Sequence, residues 1–288
     1  MSDVIIIGNG PAGISASLYT KRAGLTTTVI GKDYGALQKT DQIDNYYGFS
    51  ETITGTELLE NGLQQAKRLG VELVSAEVLG LDYDTQFTVK TSQGDFSAAG
   101  LVLATGAQRT APRIPGLAEY EGKGVSYCAV CDSYFYRGKD VAVLGCCDYA
   151  LHEAMELLPL VNSVTIVTNG ETPGVAIPSD IQVITTPIQE FVGEDTINRV
   201  LFQDGSQISV AGIFIAVGVA GSSDLARKIG AQTQGNKIMV DDTMATNIPG
   251  FYAAGDCTGG MLQIAKAVYE GAQAGTQLVK YLRKQKKA

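Results

Sequence analysis

The chain has 288 residues, 45% of them hydrophobic, enough for about two domains that each bury a core of their own. A formal net charge of -8 and a pI of about 4.8 leave no electrostatic footprint for a nucleic-acid partner. No apolar run reaches the roughly 20 residues of a membrane helix, and Met1 leads straight into the strand-like Val4 to Ile7 without a basic leader, so a cytoplasmic location is expected.

In chain order, Asp3 to Ile7 reads as an apolar strand, followed by Gly8, Asn9, Gly10, Pro11, Ala12 and Gly13 and then a helical stretch to about Arg22. Strand, glycine turn and helix together form a dinucleotide fingerprint in its required context. Gly8 allows the tight turn, Gly10 lets backbone approach a pyrophosphate, and Gly13 lets the helix pack closely on the strand. The next strand, Thr27 to Ile30, ends at Gly31 where a ribose-binding acid is expected; Asp33 lies two residues on, and the ribose contact stays unassigned. Leu101 to Gly106 is a buried strand ending in a glycine turn, and Ala111 to Gly116 punctuates the chain as a hinge.

Cys128, Ala129, Val130, Cys131 and Asp132 carry the chemistry. Five cysteines, two in a C-x-x-C, suggest redox or metal work rather than a disulfide framework. A zinc half-site would need a second C-x-x-C or a His pair; His152 is the single histidine and sits in the helical pattern Tyr149 to Leu158, so no metal is expected. A cycling dithiol needs two sulfurs close enough to bridge and an acid for the leaving thiolate, and Asp132 is the adjacent candidate. Cys146, Cys147 and Cys257 are read as small packed residues.

A second, degraded fingerprint follows. The strand Asp140 to Leu144 leads into Gly145, Cys146, Cys147, Asp148, Tyr149 and Ala150, with Cys147 standing where backbone must approach a pyrophosphate. The next strand, Val164 to Val167, ends in Thr168, Asn169, Gly170 and Glu171, where an NADP-binding chain carries arginine. From Asp140 to Asn198 there are nine acids and no Lys or Arg, a field that repels a multiply anionic nucleotide. The last motif is Gly250 to Asp256, a strand ending in an acid, with a helix-like stretch from Met261 onward.

The segments Leu101 to Gly106 and Gly250 to Asp256 resemble those of two-dinucleotide-domain flavoproteins. The succession GNGPAG, Asn45 to Phe49 (NYYGF), Thr54 to Gly70, LVLATGA, CAVCD and GFYAAGD resembles the low-molecular-weight thioredoxin reductases over essentially the whole chain. The lost pyridine-nucleotide determinants are similar to the ferredoxin-dependent flavin branch of that family. This resemblance implies an α/β fold of two Rossmann-like nucleotide-binding-type domains, the FAD/NAD(P)-binding fold, with the second inserted into the first. The boundaries read from the chain are 1–111 and 241–288 for the FAD domain and 112–240 for the insert.

The resemblance also implies FAD as cofactor, held by Gly8, Gly10, Pro11, Ala12, Gly13, Gln38, Asn45, Thr105, Gly106, Gly255, Asp256, Gln263 and Ile264, with Asp256 on the ribityl chain. Leu262 replaces the arginine that usually precedes the family glutamine. Cys131 would face the flavin, Cys128 would attack the partner disulfide and Asp132 would act as acid/base. Thioredoxin is the implied substrate, reduced ferredoxin the donor and a homodimer the assembly. The basic tail of Lys280, Arg283, Lys284, Lys286 and Lys287 reads equally as a docking patch for an acidic ferredoxin or as a helix end complementing its dipole. Two rivals stay open: an NADH- or NADPH-dependent or two-flavin disulfide oxidoreductase, and a non-enzymatic flavin redox sensor. One dithiol serving both a flavin and a protein implies a moving insert, with hinges at Ala111 to Gly116 and around Asp241 to Pro249.

Overall fold

A computed structural model describes residues 2–106, 112–218 and 220–286. The chain divides into two compact units, Met1–Gln108 with Gly221–Ala288, and Arg109–Ala220.

The first unit begins with β1 (Ser2–Ile7), α1 (Pro11–Arg22), β2 (Thr27–Gly31), α2 (Gly55–Arg68), β3 (Glu72–Ser75), β4 (Val78–Tyr83), β5 (Phe87–Thr91) and β6 (Gly94–Leu103). The second unit holds β7 (Val125–Ser126), α3 (Ala129–Asp132), β8 (Asp140–Leu144), α4 (Asp148–Leu157), β9 (Ser163–Val167) and β10 (Gln182–Ile184). It continues through β11 (Ile188–Gly193), β12 (Ile197–Phe202), β13 (Gln207–Ser209) and β14 (Gly212–Ile215). The chain then returns to the first unit as α5 (Ser222–Lys228), β15 (Thr233–Gln234), β16 (Lys237–Ile238), β17 (Phe251–Ala253) and α6 (Ile264–Gln285).

In the first unit β3, β2, β1, β6 and β17 run parallel in that order, and β4 and β5 extend the sheet as an antiparallel meander from the N-terminal half of β6. Val4, Ile5, Ile6 and Ile7 are all buried, because a parallel strand covered on both faces has no side for polar residues. Val4 and Ile6 join Ala12 and Ala16 of α1 and Ala274 and Leu278 of α6 in one core cluster. The small residues on α1 let α6 approach closely: a Cβ on Gly271 would stand 2.1 Å from the Ala12 carbonyl oxygen. Thr54 and Glu57 close a reciprocal capping box at the start of α2, worth about 1 kcal/mol.

The second unit repeats the theme with a five-stranded parallel sheet ordered β10-β9-β8-β14-β7 and adds the antiparallel ladder β11-β12-β13. Its core gathers Ala142, Leu144, Phe191, Val200, Phe202 and Ile213. The α/β fold of two Rossmann-like sheets, one inserted in the other, is therefore as expected.

The insert ends earlier than residue 240. Residues 221–240 fold with the first unit: α5 lies against β4 and β16, and the Ser222 hydroxyl reaches Thr105 Oγ1 at 2.6 Å and the Gly106 carbonyl at 3.0 Å. The segment around Asp241 is stitched into that unit as well, since Asp241 accepts from Thr243 and Ala245 and Ala253 N donates to Met244 O. Of the other hinge, Ala111 lies outside the described residues. Pro115 and Gly116 are folded on β11, where Phe191 N donates to Pro115 O at 3.0 Å. No helix of the described residues is long and apolar enough to cross a membrane.

Candidate active site

The dithiol sits at the start of a single helical turn. Cys128 and Cys131 are joined as a disulfide, with Cα atoms 5.3 Å apart. Cys128 caps α3, its sulfur accepting the Cys131 N–H at 3.2 Å. The Ser126 hydroxyl accepts from Cys128 N at 3.1 Å and donates to Asp132 Oδ2 at 2.7 Å, so one side chain ties the acid to the cysteine turn. Burial and the Asp132 charge raise the pKa of Tyr136 next to it. Cys128 is only 3% exposed, whereas Cys131 is exposed.

Sequence reasoning missed Glu153. It is 1% exposed on the inner face of α4, and its Oε2 accepts Ala129 N–H at 2.8 Å, pinning the first residue of α3. Its one sequence signal is helical spacing with Tyr149, Ala150, Ala154 and Leu157, the face that α4 buries, and that signal is outweighed because a glutamate in a helix is most often solvated. His152 pairs weakly with Glu156 at 3.8 Å along the helix.

The first unit builds a cradle at the carboxyl ends of its parallel strands. A Cβ on Gly8 would meet Ala104 O at 2.2 Å, and one on Gly13 would meet Gly8 O at 1.8 Å, so strand, turn and α1 close on one another without side chains. Around Gly10, by contrast, nothing lies within 4 Å of such a Cβ; Gly10 caps α1 and no acid stands in the first turn. That open space beside helix N-terminal amides is what a pyrophosphate needs, so the residues fit FAD. Asn45 Nδ2 donates to Gln263 Oε1 at 3.2 Å, joining two segments far apart in the chain. Asp256 opens a 3-10 turn after β17, and burial raises its pKa against the pull of Lys266.

Lys266 and Glu270 were also missed. Lys266 donates to Gly255 O, Thr258 Oγ1 and Gly259 O, and Glu270 Oε2 accepts Gly255 N at 2.8 Å, so the loop bearing Asp256 hangs from two residues one turn apart on α6.

The second fingerprint keeps its backbone and loses its opening. A Cβ on Gly145 would meet Ala216 O at 2.3 Å, so the tight turn persists. Cys147, the cap of α4, fills the place corresponding to Gly10, and Asp148 puts an acid in the first turn. The Cys146 thiol donates to Glu171 Oε2 at 3.1 Å, and Gly174 N donates to Cys146 O at 2.8 Å, which folds the loop after β9 onto the turn. A thiol and a carboxylate thus stand hydrogen-bonded beside this turn.

The model of the family described as "Pyridine nucleotide-disulphide oxidoreductase" matches residues 2–271. A thioredoxin reductase of Aquifex aeolicus is 35% identical, covering 99% of this chain and 94% of its own length. The crystal structure of the atypical thioredoxin reductase TRi from Desulfovibrio vulgaris Hildenborough superposes with a TM-score of 0.92 at 42% identity over 99% of both chains. This chain belongs to the low-molecular-weight thioredoxin reductases. Its cofactor is accordingly FAD. A ferredoxin-flavin thioredoxin reductase from Clostridium acetobutylicum is also similar, with a TM-score of 0.72, 30% identity and 98% of each chain covered.

For a thioredoxin reductase, the expected residues fall into two groups. Gly8, Gly10, Pro11, Ala12 and Gly13 form the turn into α1, Asn45 meets Gln263 beside Ile264, and Thr105 and Gly106 lie against Ser222. Gln38, in the 3-10 turn Ala36–Lys39, is exposed and forms none of these contacts. Cys128, Cys131 and Asp132 stand together in the second unit. Cys257 is buried, as read, and its thiol is pushed up to about 12. Two residues of the basic tail are engaged: Arg283 donates to Ala23 O and Lys286 pairs with Asp3, both at 3.0 Å.

Proposed function

We propose that this enzyme reduces thioredoxin with electrons from a ferredoxin-class one-electron donor, not from NADPH or NADH. The observation that carries the reading is the second fingerprint, where Cys147 replaces the open glycine and the Cys146 to Glu171 contact puts a carboxylate beside the turn, which supports loss of the phosphate site. The acid-only stretch from Asp140 to Asn198 adds long-range repulsion. The fold survives while its ligand is lost, which is common because fold and site are separable.

FAD, when bound, links one-electron delivery to two-electron disulfide reduction. The chain's own residues do the rest. Cys131 takes the electron pair into the disulfide, and Cys128, whose sulfur accepts the Cys131 N–H, attacks the thioredoxin disulfide. Asp132, held by Ser126, moves the proton at the cysteine turn. A donor near -400 mV and thioredoxin near -270 mV leave a two-electron driving force of about 6 kcal/mol. The assembly is proposed as a cytoplasmic homodimer.

Anaerobic titration followed by flavin absorbance tests the donor. Reduced ferredoxin should bleach the flavin, and thioredoxin with an added disulfide should restore the colour. Stoichiometric bleaching by NADPH or NADH would favour the pyridine-nucleotide reading, to which the name of the matched family points.

A further inference from the structure

The two adjacent cysteines of the second fingerprint do more than close it. Cys146 and Cys147 are both partly exposed free thiols, with sulfurs 3.4 Å apart. Among the described residues the Cys147 sulfur hydrogen-bonds only to Cys146, and Cys146 also donates to Glu171 at 3.1 Å. We propose that Cys146 and Cys147 form a second thiol site, distinct from the redox disulfide, that chelates a trivalent arsenic or antimony centre carrying one organic or hydroxyl substituent.

Bite and ligand count select that class. No group of three or more His, Cys, Asp or Glu among the described residues is placed to hold a metal ion, so a tetrahedral zinc site is not available. A linear two-coordinate soft ion needs its sulfurs on opposite sides, which neighbours on one turn cannot provide. A pyramidal trivalent centre, with bonds near right angles, needs two sulfurs in van der Waals contact and supplies its third bond itself. Gly174 packs beside the pair without a side chain of its own: a Cβ there would lie 3.9 Å from Cys147 Sγ.

Glu171 keeps Cys146 as a thiol: burial, then the Glu171 hydrogen bond, push its pKa up to about 12. Each thiol gives up its proton as its As–S bond forms. An arsenoso compound R–As=O and two thiols give R–As(S)2 and one water; two As–S bonds form, the As=O bond and two S–H bonds break, both protons leave in the water, and no oxidant or reductant is needed.

The test uses the oxidised holoenzyme, with the Cys128 to Cys131 disulfide closed, and phenylarsine oxide as probe. Intact mass should show one adduct per chain, and the adduct should protect two thiols from alkylation, mapped to Cys146 and Cys147. Cys146→Ser and Cys147→Ser should each weaken binding about a hundredfold or more, because one-point attachment loses the effective concentration of the second thiol. Cys257→Ser and the double variant Cys128→Ser/Cys131→Ser should bind as wild type does. Flavin absorbance of each variant reports that it is folded. The proposal is overturned if the oxidised enzyme takes no arsenical or if either single serine variant retains wild-type affinity. Alkylation of the denatured, unreduced chain that finds Cys257 as the only free thiol would overturn it too.

Discussion

Glu153 is the sharpest test of how the dithiol is held. Its carboxylate accepts the Ala129 N–H from within the core, and Ala129 is itself fully buried, so no water stands ready to replace it. Glu153→Ala strands a buried donor, at a cost of roughly 1 to 3 kcal/mol. Glu153→Gln keeps the shape and an acceptor oxygen but loses the charge assistance, which about halves the bond. The expected order of stability is wild type, Gln, Ala, with a total spread of about 2 kcal/mol in urea unfolding of the holoenzyme. A deficit of that size leaves the enzyme folded at 25 °C, so a fall in thioredoxin turnover at constant flavin content would report misplacement of Cys128, not unfolding. Ala should lose turnover by tenfold or more, since about 1.4 kcal/mol of lost positioning is a factor of ten, and Gln should recover most of it. If Glu153→Ala unfolds like wild type and turns over at the full rate, the carboxylate does not position the cysteine turn.

Four further outcomes can be measured. Cys131→Ser should trap a mixed disulfide with thioredoxin through Cys128, whereas Cys128→Ser should not; trapping at the exposed Cys131 instead would reverse the assigned roles. Gly10→Ala has free space and should fold normally but bind FAD more weakly, while Gly8→Ala, with φ at +108° and a backbone oxygen in the way, should lose stability even before cofactor is added. Asp3 has a pKa lowered chiefly by Thr26, so its contribution is present above the unfolded value and lost as pH falls through the folded one; wild type and Asp3→Asn should differ in melting temperature at pH 7 and converge in acid. Charge reversal at Lys280 and Lys284 should leave ferredoxin-driven turnover unchanged at physiological salt, and a large rise in KM for ferredoxin would show that donor docking does use the tail.

The parts of the fold that were legible are those where one residue type has one physical use. Gly8 and Gly13 can be read because only glycine fits against Ala104 O and Gly8 O, and the β1 and β8 runs because strands covered on both faces must be apolar. Glu153, Lys266 and Glu270 were illegible for the opposite reason. A charged residue in a helix is most often solvated, and only the tertiary fold shows that Glu270 and Lys266 suspend the Asp256 loop or that Glu153 reaches a backbone N–H 24 residues earlier. The end of the insert was misplaced because prolines and glycines near Pro249 mark a turn as readily as a boundary. What decided the boundary was the hydrogen bonding of Ser222 to Thr105 and Gly106, which no local pattern encodes.

The basic tail shows how geometry separates two readings that charge alone leaves equal. The 22 residues of α6 rise about 1.5 Å each, so Arg283 and Lys284 lie about 30 Å along the axis from Gln263, the end of the helix at the cradle. Electron transfer decays exponentially with distance, and a carrier seated on the tail would be too far from a flavin at Gln263 to deliver at a useful rate. The tail has a structural use in its place. Arg283 holds the carbonyl of Ala23 just past α1, and Lys286 holds Asp3 at the start of β1, so the last turn of α6 is clamped to the two elements that open the nucleotide fold. Cations there also complement the carboxyl-end dipole of the helix. For the proposed one-electron donor, the cradle end of α6, where Met261 and Leu262 are exposed and uncharged, is the nearer approach. Leu262, standing where the family usually carries an arginine, belongs to the surface that such a donor would meet.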